Sequence, residues 1–184
     1  MKNSPFMMVV VLTVITAISA LILASVYAGT KDRIAEEYRK DFLKGLRVVL
    51  PGFDNEPDRD FKEMKDKRIY IGKKEGKILG YAVRAVSPKG YSGDIAVLVG
   101  VDPKGKILGI EILKHAETPG LGNKIEFPEW KALFVGLDKN SNIAVKKDGG
   151  NIDEFSGATV SPRAVCEAVN LALDFLGRYA VEGE

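Results

Sequence analysis

The chain has 184 residues, of which 46% are hydrophobic and 28% charged, with a formal net charge of +2. These values describe one folded domain plus an appendage, and they exclude wholesale disorder and a strongly basic nucleic-acid-binding face, so no nucleic-acid partner is expected. One cysteine and one histidine exclude an intrachain disulfide, a cysteine-ligated iron–sulfur cluster and a multi-histidine metal site within this chain.

Residues 6–28 carry no charge and no Pro or Gly, and Lys2 is the only charged residue before Lys31. At ~1.5 Å per residue this run gives a helix of about 34 Å, enough to cross a hydrocarbon core of ~30 Å. A secretory signal has an apolar core of only ~7–15 residues, so the run is expected to be a retained membrane anchor. The rival is a cleaved signal, because Val26 and Ala28 are small residues placed as at a signal-peptidase site. Orientation is ambiguous. Lys31, Arg33, Arg39, Lys40 and Lys44 follow the span, which by basic-residue counting favours a cytoplasmic domain, but that rule weakens for long translocated domains.

Residues 31–50 form an expected amphipathic stalk helix, with Ile34, Tyr38, Phe42 and Leu46 at near-helical spacing and Leu50-Pro51-Gly52 ending it. Residues 51–67 are polar and predict a connecting stretch. Short β-type segments follow at 68–71 and 77–86, around a turn at Lys73-Lys74-Glu75-Gly76, and at 95–101 and 106–113, around Asp102-Pro103-Lys104-Gly105, a turn that suits antiparallel strands. Residues 127–135 suggest a short helix beginning near Pro128, and 142–147 another strand. Ser161 offers an N-cap with Pro162 at the first helical position. Val165, Val169, Ala172, Leu173, Leu176 and Ala180 then make the apolar stripe of a C-terminal helix. The predicted class is α+β: a single transmembrane helix and stalk helix, then a twisted antiparallel sheet domain with a packed C-terminal helix. The predicted divisions are an anchor over 1–30, stalk and connector over 31–67, and the sheet domain over 68–184.

Chemistry concentrates in Asp153-Glu154-Phe155-Ser156-Gly157-Ala158-Thr159, which runs into that helix. Small residues let a bulky group approach the backbone. A helix N-terminus beside the Thr159 hydroxyl favours an anion such as phosphate. The competing reading makes Thr159 or Ser161 a plain cap. Two more segments, Gly90-Tyr91-Ser92-Gly93 and Glu117-Thr118-Pro119-Gly120-Leu121-Gly122, are loops suited to walling a flat ligand, though each taken alone is an ordinary turn. His115 and Cys166 read as structural residues; for His115, proton exchange with a bound redox group is the sharper alternative. Adjacent carboxylates such as Asp153 and Glu154 diverge, which argues against a general acid/base pair. Tyr81, Tyr91 and Trp130 are candidates for stacking on a ligand, with core packing as the default.

The order of these three segments and the C-terminal helix resembles the flavin-binding domain of the G subunits of Rnf ion-translocating electron-transport complexes, and is similar to the C subunits of the sodium-translocating NADH:quinone reductase. The resemblance covers about residues 68–180. It implies FMN joined covalently by phosphoester to Thr159, placed there by a separate flavin transferase that reads an Asp-x-x-(Ser/Thr)-Gly-Ala-Thr pattern, here Asp153, Ser156, Gly157, Ala158 and Thr159. It implies that Glu117, Thr118, Gly120, Leu121, Tyr91 and Ser92 lie along the flavin as cofactor-binding residues, with Lys146 or Lys147 neutralising charge. It further implies a single-pass electron carrier without catalytic residues or a metal of its own. Its expected partners are membrane and redox subunits of a complex coupling ferredoxin and NAD to Na+ or H+ movement, together with membrane lipid. The flavin domain is expected on the outer face of the cytoplasmic membrane. The alternatives are a C-type subunit of the quinone-reducing relative, a membrane-tethered binding or assembly module without flavin, and an independent flavoenzyme.

Overall fold

The structure is a computed structural model and describes residues 5–182. Lys2 of the orientation argument lies outside them, as does the side-chain environment of Ala180. The chain falls into two compact units that divide between Asp41 and Phe42. The described residues of the first are all helical. Its helix, α1, runs without a break over Pro5–Val49, so the expected anchor and stalk are one element. It is long and apolar enough to cross a membrane, and its apolar window is unburied. Thr13, Thr16 and Ser25 donate their hydroxyls to the carbonyls of Val9, Leu12 and Leu21 at 2.8–2.9 Å. Such back-bonding satisfies polar groups that would otherwise be costly in lipid. Ile34 and Tyr38, on the apolar stripe of the expected stalk, are exposed, whereas Leu46 farther along the same helix is buried.

In the second unit a five-stranded sheet runs β1 (Phe61–Met64), β2 (Lys67–Lys74), β3 (Lys77–Gly90), β4 (Gly93–Val101) and β5 (Ile107–Lys114). Every neighbouring pair is antiparallel and the strand order follows the chain. β1 falls inside the stretch expected to be a connector. It is a short edge strand whose polar sequence hid it. Lys74 and Lys77 close the β2–β3 hairpin around Glu75 and Gly76, both at positive φ, the conformation that two-residue hairpins favour. Register shifts beside Gly72, Ser87, Ala96 and Gly100 mark bulges, which increase strand twist.

Alternation along the strands sends Ile69, Val83, Ala85, Val97 and Val99 to one face. There they pack with Val165, Val169, Ala172, Leu173 and Leu176 of the C-terminal helix α3 (Val160–Glu182). The opposite face presents Ala82 and Leu98, covered by Leu46, Val49 and Leu50 at the end of α1 and its exit. Glycines make that seat. A methyl on Gly100 would overlap the Val49 carbonyl, with the Val49 carbon at 2.7 Å, and one on Gly109 would lie 2.9 Å from the Val48 oxygen. The backbone of α1's last turn therefore rests directly on β4 and β5, and a side chain at either place would lift it.

Between β5 and α3 the chain forms the short helix α2 (Pro128–Lys131), started by Pro128 as expected, continued by a 3-10 turn over Ala132–Phe134. Residues 142–147 are not a strand. Ile143 and Val145 are buried, which accounts for the alternating pattern. Val145 makes only one parallel bridge, to Ile152, before a 3-10 turn at Lys146–Asp148. The segment pairs with none of the five strands, so its apolar alternation records burial rather than pairing.

Candidate functional site

The three glycine-containing segments meet at one end of the sheet. The Gly90–Gly93 tip closes the β3–β4 hairpin, and Lys114, the last residue of β5, pairs with Ala96, so the loop after β5 starts beside that tip. The start of α3 is drawn to the same end: Glu167 accepts hydrogen bonds from Ser87 Oγ and Lys89 Nζ of β3, both at 2.5 Å.

Glu117 joins all three segments. It is 5% exposed. Its Oε1 accepts the Ser92 N–H at 3.1 Å, and its Oε2 accepts the Ser161 hydroxyl at 2.5 Å across 44 residues of sequence. Ser161 is itself buried. Glycine surrounds this carboxylate because nothing larger fits: a methyl on Gly122 would lie 2.5 Å from Oε2 and 2.6 Å from Ser161 Oγ, and one on Gly90 would lie 2.8 Å from Oε1. His115 completes the support. Its Nδ1 accepts the Glu117 N–H at 3.0 Å while its Nε2 faces Glu126 Oε1 at 3.0 Å. This network assigns the proton to Nε2 and uses both ring nitrogens to hold the loop.

The segment before α3 is anchored from behind. Trp130 donates its indole N–H to the Asp153 carbonyl at 2.6 Å and lies against Phe155, ring centres 5.5 Å apart. The Asp153 carboxylate pairs with Lys146 Nζ at 2.6 Å, and Glu154 accepts the Lys147 N–H at 3.3 Å. Residues 155–158 then make a turn closed by the Ala158 N–H on the Phe155 carbonyl, 3.0 Å. Gly157 stands third in it with φ +77°, a conformation strained for any other residue except Asn or Asp. The turn delivers Thr159 to the end of α3, where its carbonyl accepts the Arg163 N–H at 3.2 Å.

Thr159, and not Ser161, therefore occupies the cap position. The expectation of a cap at Ser161 was two residues late, because Pro162 sits inside the first turn, where its missing N–H is tolerated. Among the described residues the Thr159 hydroxyl and the N–H groups of Val160 and Ser161 have no protein partner. Thr159 is half-buried. A hydroxyl beside two free amides at the positive end of a 23-residue helix is a donor set that suits a phosphoryl group. A groove of about 530 Å³ starts at the next residue, Val160, and runs along α3, lined by Val160, Arg163, Cys166, Glu167 and Leu171 of α3 and by Ile143 and Val145. That volume falls in the range of small-molecule and cofactor sites.

Tyr91, Ser92, Thr118, Gly120, Leu121, Ser156 and Gly157 are exposed at this end, and Ala158 is half-buried. Thr118 contributes its carbonyl to the loop, accepting the Leu121 N–H at 3.2 Å, and Asn123 Oδ1 takes the Gly120 N–H at 2.7 Å. Arg163, in the first turn of α3, is held by a bidentate pair with Asp148, 2.6 Å on each arm, and this guanidinium keeps the Asp148 carboxyl below its usual range. Three of the aromatic and lysine candidates are placed elsewhere or already paired. Tyr81 pairs with Val101 at the far end of β3 and stacks edge-on with Tyr179, centres 5.6 Å apart. Trp130 is core, and Lys146 is committed to Asp153. Cys166 is buried, which pushes its thiol up to about 12, so it is inert packing. Sequence reading missed the roles of Ser161 and Asn123 as loop ties. The only signal for either was a polar residue beside glycines.

A family model described as the FMN-binding domain matches residues 90–174. The chain is 41% identical over 172 residues to the G subunit of the ion-translocating oxidoreductase complex of Haemophilus influenzae strain PittEE, covering 85% of this chain and 82% of that protein. It is 40% identical over 177 residues to the G subunit of the same complex from Aliivibrio fischeri strain MJ11, covering 86% and 84%. Among solved structures, the C subunit of the Na+-translocating NADH-quinone reductase from Parabacteroides distasonis superposes with a TM-score of 0.52 at 21% identity, covering 62% of each chain. It is similar in fold.

Proposed function

The chain belongs to the family of G subunits of ion-translocating oxidoreductase complexes, and from that premise we propose that it carries its FMN on Thr159 through a phosphoester bond. As a member of that family with an FMN-binding domain, it is a membrane-anchored electron-carrier subunit of a redox-driven translocase. FMN supplies reversible one- and two-electron chemistry when bound.

The observation that carries the Thr159 assignment is the unpartnered hydroxyl and the two free amides at the head of α3, delivered there by the Gly157 turn. Attachment needs no change of oxidation state. The Thr159 oxygen forms a bond to the phosphorus of an FMN phosphoryl group activated as a phosphoanhydride, as in flavin adenine dinucleotide. The anhydride P–O bond breaks, AMP leaves, and the hydroxyl proton is lost to solvent. A separate flavin transferase performs the transfer, reading Asp153, Ser156, Gly157, Ala158 and Thr159. Tyr91, Ser92, Thr118, Gly120 and Leu121 then border the flavin from their exposed loops, while Glu117 holds those loops from within.

Residues 6–28 hold the chain in lipid and offer a surface to membrane subunits of the complex. They contain no ionisable side chain except Tyr27, so the ion path, for Na+ or H+, lies in those partner subunits. The flavin domain is assigned to the outer face of the cytoplasmic membrane. Protease added to intact spheroplasts checks that side: the domain is expected to be cleaved, and its full protection would reverse the topology.

Denaturing gel electrophoresis tests the attachment. The full chain and its Thr159→Val variant are co-expressed with a flavin transferase and imaged for flavin fluorescence. A band in the parent alone supports the assignment. Two dark bands, with the transferase active on a control substrate, would remove it and favour a tethered module without covalent flavin.

A further inference from the structure

The Glu117 carboxylate faces inward, between the hairpin tip and the first turn of α3. It is 5% exposed, and each of its oxygens is occupied, one by the Ser92 N–H and the other by Ser161. It thus belongs to neither the exposed flavin-bordering set nor the transferase's recognition pattern. Ser161 lies two residues beyond Thr159 in the first turn of α3, and it supplies one of the two free amides there. A bond that fixes Ser161 therefore fixes the direction of the Thr159 hydroxyl and of that amide. The same carboxylate holds the hairpin tip at Ser92, while the backbone N–H of Glu117, donated to His115 Nδ1, braces the loop that begins after β5. Gly90 and Gly122 let the strands and loop close around it.

We propose that Glu117 is a positioning residue for flavin attachment, acting through Ser161 to hold the Thr159 hydroxyl and the first amides of α3 in the geometry that receives the phosphoryl group. The proposal rests on the Thr159 reading. It differs from a flavin-contact role because Glu117 reaches the site only through Ser161 and Ser92. Buried hydrogen bonds to a charged group are the strong ones, and removing one partner strands the other. The effect falls on the turnover of the transferase rather than on its recognition, since Asp153 and residues 156–159 are unchanged.

The test uses purified full-length chain in detergent, purified flavin transferase and flavin adenine dinucleotide. It follows covalent flavin fluorescence per chain at a series of chain concentrations. Ser161→Ala and Glu117→Ala are expected to lower the transferase kcat about tenfold to a hundredfold with KM for the chain unchanged. Glu117→Gln is expected to restore most of the rate. Its amide oxygen still takes the Ser92 N–H, and its NH2 group donates to Ser161 Oγ. Cooperative thermal unfolding is recorded for every variant, and if Glu117→Ala does not fold, Ser161→Ala decides. Parent-like kcat in a folded Ser161→Ala overturns the proposal. So does a loss confined to KM, or a Glu117→Gln variant as slow as Glu117→Ala. A dark parent band or a fluorescent Thr159→Val band is a different result, because it overturns the Thr159 assignment itself and this inference with it.

Discussion

Gly100→Ala tests the seat of α1 on the sheet. The added methyl would overlap the Val49 carbonyl oxygen and lie 2.7 Å from its carbon and 2.9 Å from Val49 Cβ. Carbon pairs pack best at about 3.5–4.0 Å, so the last turn of α1 must move by about 1 Å, which forfeits roughly a quarter to a half of the contact energy. Leu46, Val49 and Leu50 are fully buried in that contact, and burying each is worth about 1.5–3 kcal/mol. A quarter to a half of their sum is about 1–4.5 kcal/mol, and its middle, about 2–3 kcal/mol, is in line with measured costs of overpacking. For a chain of this size that lowers the melting temperature by roughly 5–10 °C. The assay is thermal unfolding of the detergent-solubilised chain, followed by fluorescence of Trp130, its single, buried tryptophan. Gly45→Ala is the matched control: its new methyl would meet Leu113 Cδ2 at an ordinary 3.4 Å, and Gly-to-Ala inside a helix gains up to about 1 kcal/mol. Melting of Gly100→Ala within about 2 °C of the parent, or as large a drop for Gly45→Ala, would refute the packing argument.

Cys166, with its thiol pushed up to about 12 by burial, is expected to resist a thiol reagent near pH ~8 in the folded chain and to react fully in denaturant; fast native labelling would contradict the buried placement. Four carboxyls sit below their usual range: Asp60 beside Lys73, Asp138 beside the Asn140 N–H and Ser141, Asp148 beside Arg163, and Glu167 beside Lys89 and Ser87. Depressed folded values mean that their stabilisation is complete above the unfolded values of 3.8 for Asp and 4.5 for Glu, and is lost as pH falls through the folded ones. Melting temperature should therefore decline in acid below that range, and Glu167→Gln should flatten part of the decline; an identical acid profile in the variant would count against the Lys89–Glu167–Ser87 link. Trp130→Phe removes the indole N–H from the Asp153 carbonyl, costs about 1–2 kcal/mol, and should speed amide exchange over residues 153–159, whereas unchanged exchange there would show that this bond does not anchor the segment.

The features visible in the sequence were local. Residues 6–28 announce a membrane-length helix through unbroken apolarity, and the stripe from Val165 to Leu176 announces α3 through its period. The hairpin at Glu75-Gly76 follows from the conformation those residues accept. The pattern from Asp153 to Thr159 was readable because small residues at fixed spacing run straight into the start of a helix. What the tertiary structure decided depends on distance across the chain. The buried alternation at Ile143 and Val145 is identical for a strand and for a packed loop until the sheet edge is known. Gly100 and Gly109 look like ordinary strand glycines until the backbone of Val48 and Val49 lies on them. Glu117 and Ser161 are 44 residues apart, and no local period, cap or turn preference relates them. Their bond exists because the hairpin tip, the loop after β5 and the start of α3 converge at one end of the sheet, where a buried carboxylate must find its donors.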